Sequence, residues 1–228
     1  TDIFIGFVHL HQMERALAEQ IVQERNRQGI YRSLEDFIRR VQPGDEQLDL
    51  LIRIDAFRFT QKNKYELMWE KNNVFQPRQA TNGLLFNEEE NFCLPELKIK
   101  KHDHAFDQIE LLGFPLCAPF ELLEEKPDNV IPALDMKKHT GKNVRMLGYF
   151  VTRKEVRTIN DKRMNFGTWL DEAGHYFDSV HFPPCLRKYP LRGGGCYLLH
   201  GKIVLDFDFP SLEVSSMKKL PFVQDERY

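Results

Sequence analysis

A chain of 228 residues, 42% hydrophobic and 29% charged, is long enough for one large or two small domains with their own cores. No apolar run approaches the roughly 20 residues that span a membrane, and no low-complexity tract signals disorder. The formal net charge of −2 is unevenly spread: residues 143–228 carry 13 basic against 10 acidic side chains, so attraction to a polyanion is expected in the last third.

The chain opens Thr1-Asp2-Ile3-Phe4, without the basic n-region of a signal peptide and without an initiator Met, which suggests a fragment or an excised domain. Cys93, Cys117, Cys185 and Cys196 form no CxxC pair, so a reducing cytoplasm is expected rather than a disulfide framework. In IGFVHLHQMERALAEQIV (5–22) an apolar stretch passes through the polar turn Gln12-Met13-Glu14 into a helix, the plan of one half of a DNA-gripping helical hairpin. Phosphate binding by such a turn needs N–H groups converging at φ > 0, cheap for Gly and costly for Gln or Glu. Glu14 suits the helix dipole but repels a phosphate. Scaffold and duplex contact are the two readings, and this chemistry favours scaffold.

Residues 14–28 read as a helix with Leu17, Ile21 and Val22 on one face and Gly29 as its stop. Ser33-Leu34-Glu35-Asp36 resembles a capping box with Asp in place of Glu and starts a second helix that ends before Pro43-Gly44. A third is predicted over about Asp45–Ala56, burying Leu48, Leu51 and Ile52, and a fourth over Lys62–Lys71. Residues 72–108 carry Asn72-Asn73, Pro77, Asn82-Gly83, three consecutive glutamates and Lys98-Ile99-Lys100-Lys101, and read as a linker or extended arm. The apolar patch IELLGFPLCAPFELLEE (109–125), broken by Gly113 and two prolines, is expected to lie against a neighbouring domain.

From Asn143 the apolar period switches to two. Strands are predicted over 144–153, 163–171, 176–182, 196–207 and 211–218, with turns at Asn160-Asp161 and Glu172-Ala173-Gly174 and a break at Pro210. Between the third and fourth, PPCLRKYPLRGGG (183–195) accommodates one helical turn and a Gly-rich loop. Five strands with a short helix after the third are the signature of an OB-fold barrel. The expected fold class is α+β in two parts: an N-terminal helical bundle of helix-hairpin-helix type, then a five-stranded OB-fold β-barrel. The expected domains are 1–70 (helical), 71–128 (extended arm with a packing motif) and 129–228 (OB-fold).

The loop TRKEVRTINDKR (152–163) holds Arg153, Lys154, Arg157, Lys162 and Arg163 against only Glu155 and Asp161. In OB-folds this loop flanks the face that tracks single strands, where cations meet phosphates and aromatic rings stack on bases. Alternation along the second strand sends Met164, Phe166, Thr168 and Leu170 inward and turns Trp169 outward as a stacking platform. On the third strand, Tyr176/Val180/Phe182 and Phe177/Ser179/His181 are equally good candidates for the core face. The alternative for the loop is a solvated charged hairpin.

His175, His181, Cys185, Cys196 and His200 match no common zinc spacing, and no metal or other cofactor is expected in this chain. His102 and His104 read as solvated. Asp206 and Asp208 share a strand face, but with Phe207 and Phe209 beside them an exposed edge is expected rather than a paired-carboxylate site. No GxSxG, Walker loop or HExxH is present, and no catalytic residue is assigned.

Taken together these parts resemble the C-terminal region of the alpha subunit of bacterial replicative DNA polymerase III. GIYRSLEDFIRRV (29–41) with LDLLIRIDAF (48–57) resembles that family's second helical-hairpin segment. ELLGFPL (110–116) is similar to its linker signature, and MNFGTWLDEAGHYFDSVHFP (164–183) with GGGCYLLHGKI (193–203) to its OB-fold. The resemblance implies a DNA-handling back end of a nucleotidyltransferase whose palm aspartates and magnesium ions lie in polymerase domains upstream of these residues. It implies single-stranded DNA as a partner. It also implies the sliding clamp, through a short linker peptide: Leu84, Leu85 and Phe86 of NGLLF would be the apolar anchors, with Asn82 where the family carries Gln. Ordinary packing of the linker is the alternative there. For the whole chain, the alternative is a replisome scaffold that binds protein and no DNA.

Overall fold

Ser33 starts a helix by the chemistry its sequence announces: Oγ accepts the Asp36 N–H at 3.0 Å. The return bond of the box goes one residue further out, from the Arg32 N–H to Asp36 Oδ2 at 3.2 Å. A second box, at Asn63, was not read from the sequence. Asn63 Oδ1 accepts the Tyr65 and Glu66 N–H groups, and Glu66 Oε2 accepts the Asn63 N–H at 2.7 Å. These caps fix α2 (Leu34–Val41) and α4 (Lys64–Phe75). Around them lie α1 (Arg15–Gln28), α3 (Asp45–Arg53) and α5 (Asp103–Leu112), the last closed by Gly113 at φ 86°.

The computed structural model describes residues 5–75, 99–157, 161–225 and 227. It divides into one unit of residues up to Leu116 with Asp225–Tyr228, and another of Cys117–Gln224. The expected arm therefore ends earlier than residue 128: residues 103–112 form α5, and its Leu111 and Leu112 join Leu17, Ile21, Phe37, Leu51 and Phe57 in the helical core. The patch 109–125 is split accordingly, because Phe120 and Leu123 pack on Leu147 and Cys196 in the second unit. The clamp motif of Asn82, Leu84, Leu85 and Phe86 lies outside the described residues.

Several charges in the helical unit are held internally. Asp107, almost fully buried, accepts from Lys64 Nζ at 2.6 Å and Arg53 Nε at 2.8 Å, and Arg227 also bonds to it. Beside them the Tyr65 hydroxyl donates to Asp103 at 2.7 Å; burial, and then that bond, push the hydroxyl up to about 12. Arg40 lies 4.3 Å over the Tyr31 ring and donates to the Glu24 and Gly29 carbonyls, closing the end of α1.

The second unit is a closed barrel in the order β1-β2-β3-β5-β4. Its strands are β1 (Asn143–Arg157), β2 (Arg163–Leu170), β3 (Tyr176–His181), β4 (Cys196–Asp206) and β5 (Phe209–Lys219), with α6 (Pro183–Lys188) between β3 and β4. β3 and β5 pair in parallel and every other neighbour is antiparallel, which is the five-stranded OB topology. The fold is thus α+β, helices of hairpin type followed by an OB barrel.

Trp169 fills the middle of the barrel and is fully buried, which reverses the expectation that it faces outward. Its ring lies 5.3 Å from Phe150 and 5.4 Å from Tyr197, and its Nε1–H donates to Ser179 Oγ at 2.6 Å. Two glycines make the space. A Cβ at Gly167 would meet Trp169 Nε1 and Ser179 Oγ at 2.9 Å, and one at Gly148 would meet Phe177 at 2.8 Å. Since side chains alternate along a strand, placing Trp169 inside moves the rest of β2 with it. Asn165 and Gly167 face in, whereas Met164, Phe166, Thr168 and Leu170 take the outer face. β3 settles the same way, with Phe177, Ser179 and His181 inside.

Candidate nucleic-acid interface

With parity corrected, the outer face of β2 and β3 becomes the feature to explain. Register sets Lys154, Phe166 and Val180 side by side across β1, β2 and β3, and next to them Thr152, Thr168 and Asp178. Leu170 pairs with Tyr176 at the far end of the same face. Phe166 is 41% exposed and Tyr176 67%, so two rings sit on the surface that faces solvent. The β3–β5 ladder begins at Asp178↔Ser211, two residues after Tyr176 on β3 and two after Phe209 on β5.

β4 and β5 are joined by Phe207-Asp208, both left-handed at φ 47° and 65°. A two-residue turn with both φ positive normally takes Asn-Gly. A Phe there is strained by about 1–2 kcal/mol, and strain of this kind collects at functional sites. Phe207 is 98% exposed and Phe209 76%, so the turn displays two rings. It also separates Asp206 from Asp208, which were expected on one strand face; Asp208 instead bonds to Lys137 Nζ at 3.0 Å.

The five basic residues of the β1–β2 arm are divided between its two sides. Lys154 stands beside Phe166 on the outer face. Arg153, Lys162 and Arg163 line a cleft of about 500 Å³ between the arm and α6, with Glu155, Asn165, Arg187 and the apolar Leu186 and Leu191. Arg157 bonds to Asp161 at 2.6 Å and Arg153 Nη2 lies 3.2 Å from Glu155, both on the exposed surface. The structure thus brings together Lys154 with the outer rings, and Arg153, Lys162 and Arg163 with the cleft. Trp169 joins neither.

Sequence reasoning missed Phe166, Tyr176, Phe207 and Phe209. The signal that would have found the first was Gly167. A glycine two residues before a tryptophan shares its face and leaves room for the indole, so the opposite face must be the outer one.

The turn at 12–14 uses its amides inside the protein. Gln47 Oε1 accepts the Glu14 N–H at 3.0 Å and Gln47 Nε2 donates to the Gln12 carbonyl at 2.9 Å; the His11 N–H goes to Leu111 O at 2.7 Å. Gln12 takes φ 65°, a conformation held by the Gln47 bridge. Among the described residues no three His, Cys, Asp or Glu side chains gather as a metal site, and no helix is long and apolar enough to cross a membrane.

Residues 1–67 match the helix-hairpin-helix motif family. No curated protein matches the chain. Among solved structures, the N-terminal domain of PriB from Thermoanaerobacter tencongensis is similar over 35% of this chain and 96% of that one, at 10% identity and TM-score 0.31. The single-stranded DNA binding protein of Thermus aquaticus overlaps 38% of this chain and 43% of that one, at 16% identity and TM-score 0.32. Replication protein A of U. maydis, in a structure bound to ssDNA, overlaps 45% and 81%, at 14% identity and TM-score 0.30. These overlaps are partial, and the barrel's assignment rests on its strand order.

Proposed function

We propose that the chain is the DNA-handling C-terminal part of a replicative DNA polymerase III alpha subunit, whose barrel holds single-stranded template on the outer face of β2 and β3. One observation carries the reading: Phe166 and Tyr176 stand exposed on the strand face that also carries Lys154, and Phe207 and Phe209 are exposed at the β4–β5 turn. Rings stack on bases at about 1–3 kcal/mol each, and cations at the edge meet the phosphates. The polymerase context is supported by the sequence resemblance and by the order of parts, helical hairpins and then an OB barrel. In that context Asn82, Leu84, Leu85 and Phe86 dock on the sliding clamp, and magnesium-dependent nucleotidyl transfer belongs to upstream polymerase domains.

Fluorescence anisotropy of a labelled single strand, at low and moderate salt, tests the reading. Binding is expected to weaken as salt rises, with Lys154→Glu lowering the salt slope by about one and Phe166→Ala weakening affinity by about 1–3 kcal/mol. No binding at low salt would sink it and leave the protein-interaction scaffold as the account of the exposed rings.

A further inference from the structure

The cleft between the β1–β2 arm and α6 is separate from the stacking face, and its floor is unusual. Asn165 is only 5% exposed, yet its side-chain amide makes no hydrogen bond within the described protein and borders the cleft. The amide is not sealed from solvent, so its donors and its acceptor are available at the cleft. Directly across the β2–β3 ladder is His181, itself buried with Nδ1 unpartnered among the described residues. On the other side Asn165 pairs in register with Glu155, which also lines the cleft. The cleft therefore offers an amide next to a carboxylate that pairs with Arg153 Nη2 at 3.2 Å, with Leu186, Leu191 and Arg187 also in its lining.

We infer that this cleft takes one unstacked nucleobase whose edge carries an exocyclic amine beside a ring-nitrogen acceptor, that is, cytosine or adenine. The inference rests on the proposed single-strand function and adds base selectivity to it. The Asn165 amide donates to the ring nitrogen while Glu155 accepts from the amine, and thymine, whose edge places a carbonyl where the amine would be, meets the carboxylate instead. Leu186 and Leu191 supply apolar lining against the base. Arg153, paired with Glu155, offsets the carboxylate's charge and Arg187 meets an adjoining phosphate, so the carboxylate does not repel the strand. A volume of about 500 Å³ falls in the range of small-molecule sites and is ample for one base.

The test has two arms. In the first, anisotropy compares oligo-dC, oligo-dA and oligo-dT of equal length on the whole chain. Oligo-dC and oligo-dA are expected to bind at least about fivefold more tightly than oligo-dT, the lower end of one good base contact. Asn165→Leu removes the preference while oligo-dT affinity stays, and the more exposed Glu155→Gln removes it while raising oligo-dT affinity, because Arg153 is released. In the second arm, dCMP and dTMP are titrated against ¹⁵N-labelled protein. The Asn165 side-chain amide resonances are expected to move with dCMP and not with dTMP. Equal binding of all three oligomers with an unmoved Asn165 amide overturns the base cleft while leaving the strand-binding face intact. An amide that responds to dCMP in a protein that holds no oligomer keeps the cleft and overturns the proposed function.

Discussion

The helical unit carries exposed pairs such as Arg15–Glu19, but it also takes four of its cations inward, which the barrel's basic arm does not. In the helical unit Arg40, Arg53, Lys64 and Lys71 all end on internal carbonyls or carboxylates, and the turn that could present N–H groups to a phosphate gives them to Gln47. In the barrel Lys154 stands beside Phe166 on an open strand face, and the pairs Arg153–Glu155 and Arg157–Asp161 are exposed ones, worth about 0–1 kcal/mol and readily exchanged for phosphate. A count of cations is therefore a poor guide to binding. What decides is whether each cation already has an acceptor inside the protein.

The sharpest way to break this contrast is to remove an inward group from each unit. Trp169→Ala is expected to destabilise the barrel by about 3–5 kcal/mol in urea unfolding, because the core side chain leaves a cavity. Asp107→Ala should cost the helical unit about as much, since Lys64 and Arg53 lose the carboxylate they share. Neither change should act first on nucleic acid. If Trp169→Ala left the melting curve unchanged and abolished binding, the inward placement of the indole would be wrong.

A smaller effect sharpens the barrel side. Burial pushes His181 down to about 4, so the folded protein keeps it neutral while the unfolded chain takes up a proton near 6.5. Its contribution is thus fully present above pH 6.5 and is lost as pH falls from 6.5 towards 4, by up to about 3 kcal/mol. Urea midpoints measured across that range should fall more steeply for the wild type than for His181→Gln. Smallest is Gln47→Ala, expected to cost about 1 kcal/mol by freeing the Glu14 N–H and the Gln12 carbonyl. A gain in duplex affinity in that variant would show that Gln47 masks a working hairpin.

Much of the fold was legible because local chemistry and pattern agree. Ser33 caps a helix, Gly29 and Gly113 end helices at positive φ, and period-two stretches became the five strands. The site was legible only as a region. The basic arm was found, but β2 was read one residue out of phase. Both of its faces are rich in apolar residues: Trp169 because the core needs it, and Phe166 and Leu170 on the open side. A strand that exposes rings gives no unambiguous parity, and Asn165, polar and buried, argued for the wrong face. Helix α5 was hidden by the polar residues around it, and the strained Phe207 turn by Pro210, which reads as a break but sits inside β5 opposite Leu205.

The measurement closest to the central claim is photocrosslinking of a 5-iododeoxyuridine single strand to the whole chain, followed by mass spectrometry of the joined peptides. Crosslinks at Phe166, Tyr176, Phe207 or Phe209 are the predicted result. Crosslinks confined to residues 5–75, or none under conditions where the strand binds, would contradict the assignment of the outer β2–β3 face as the surface that holds DNA.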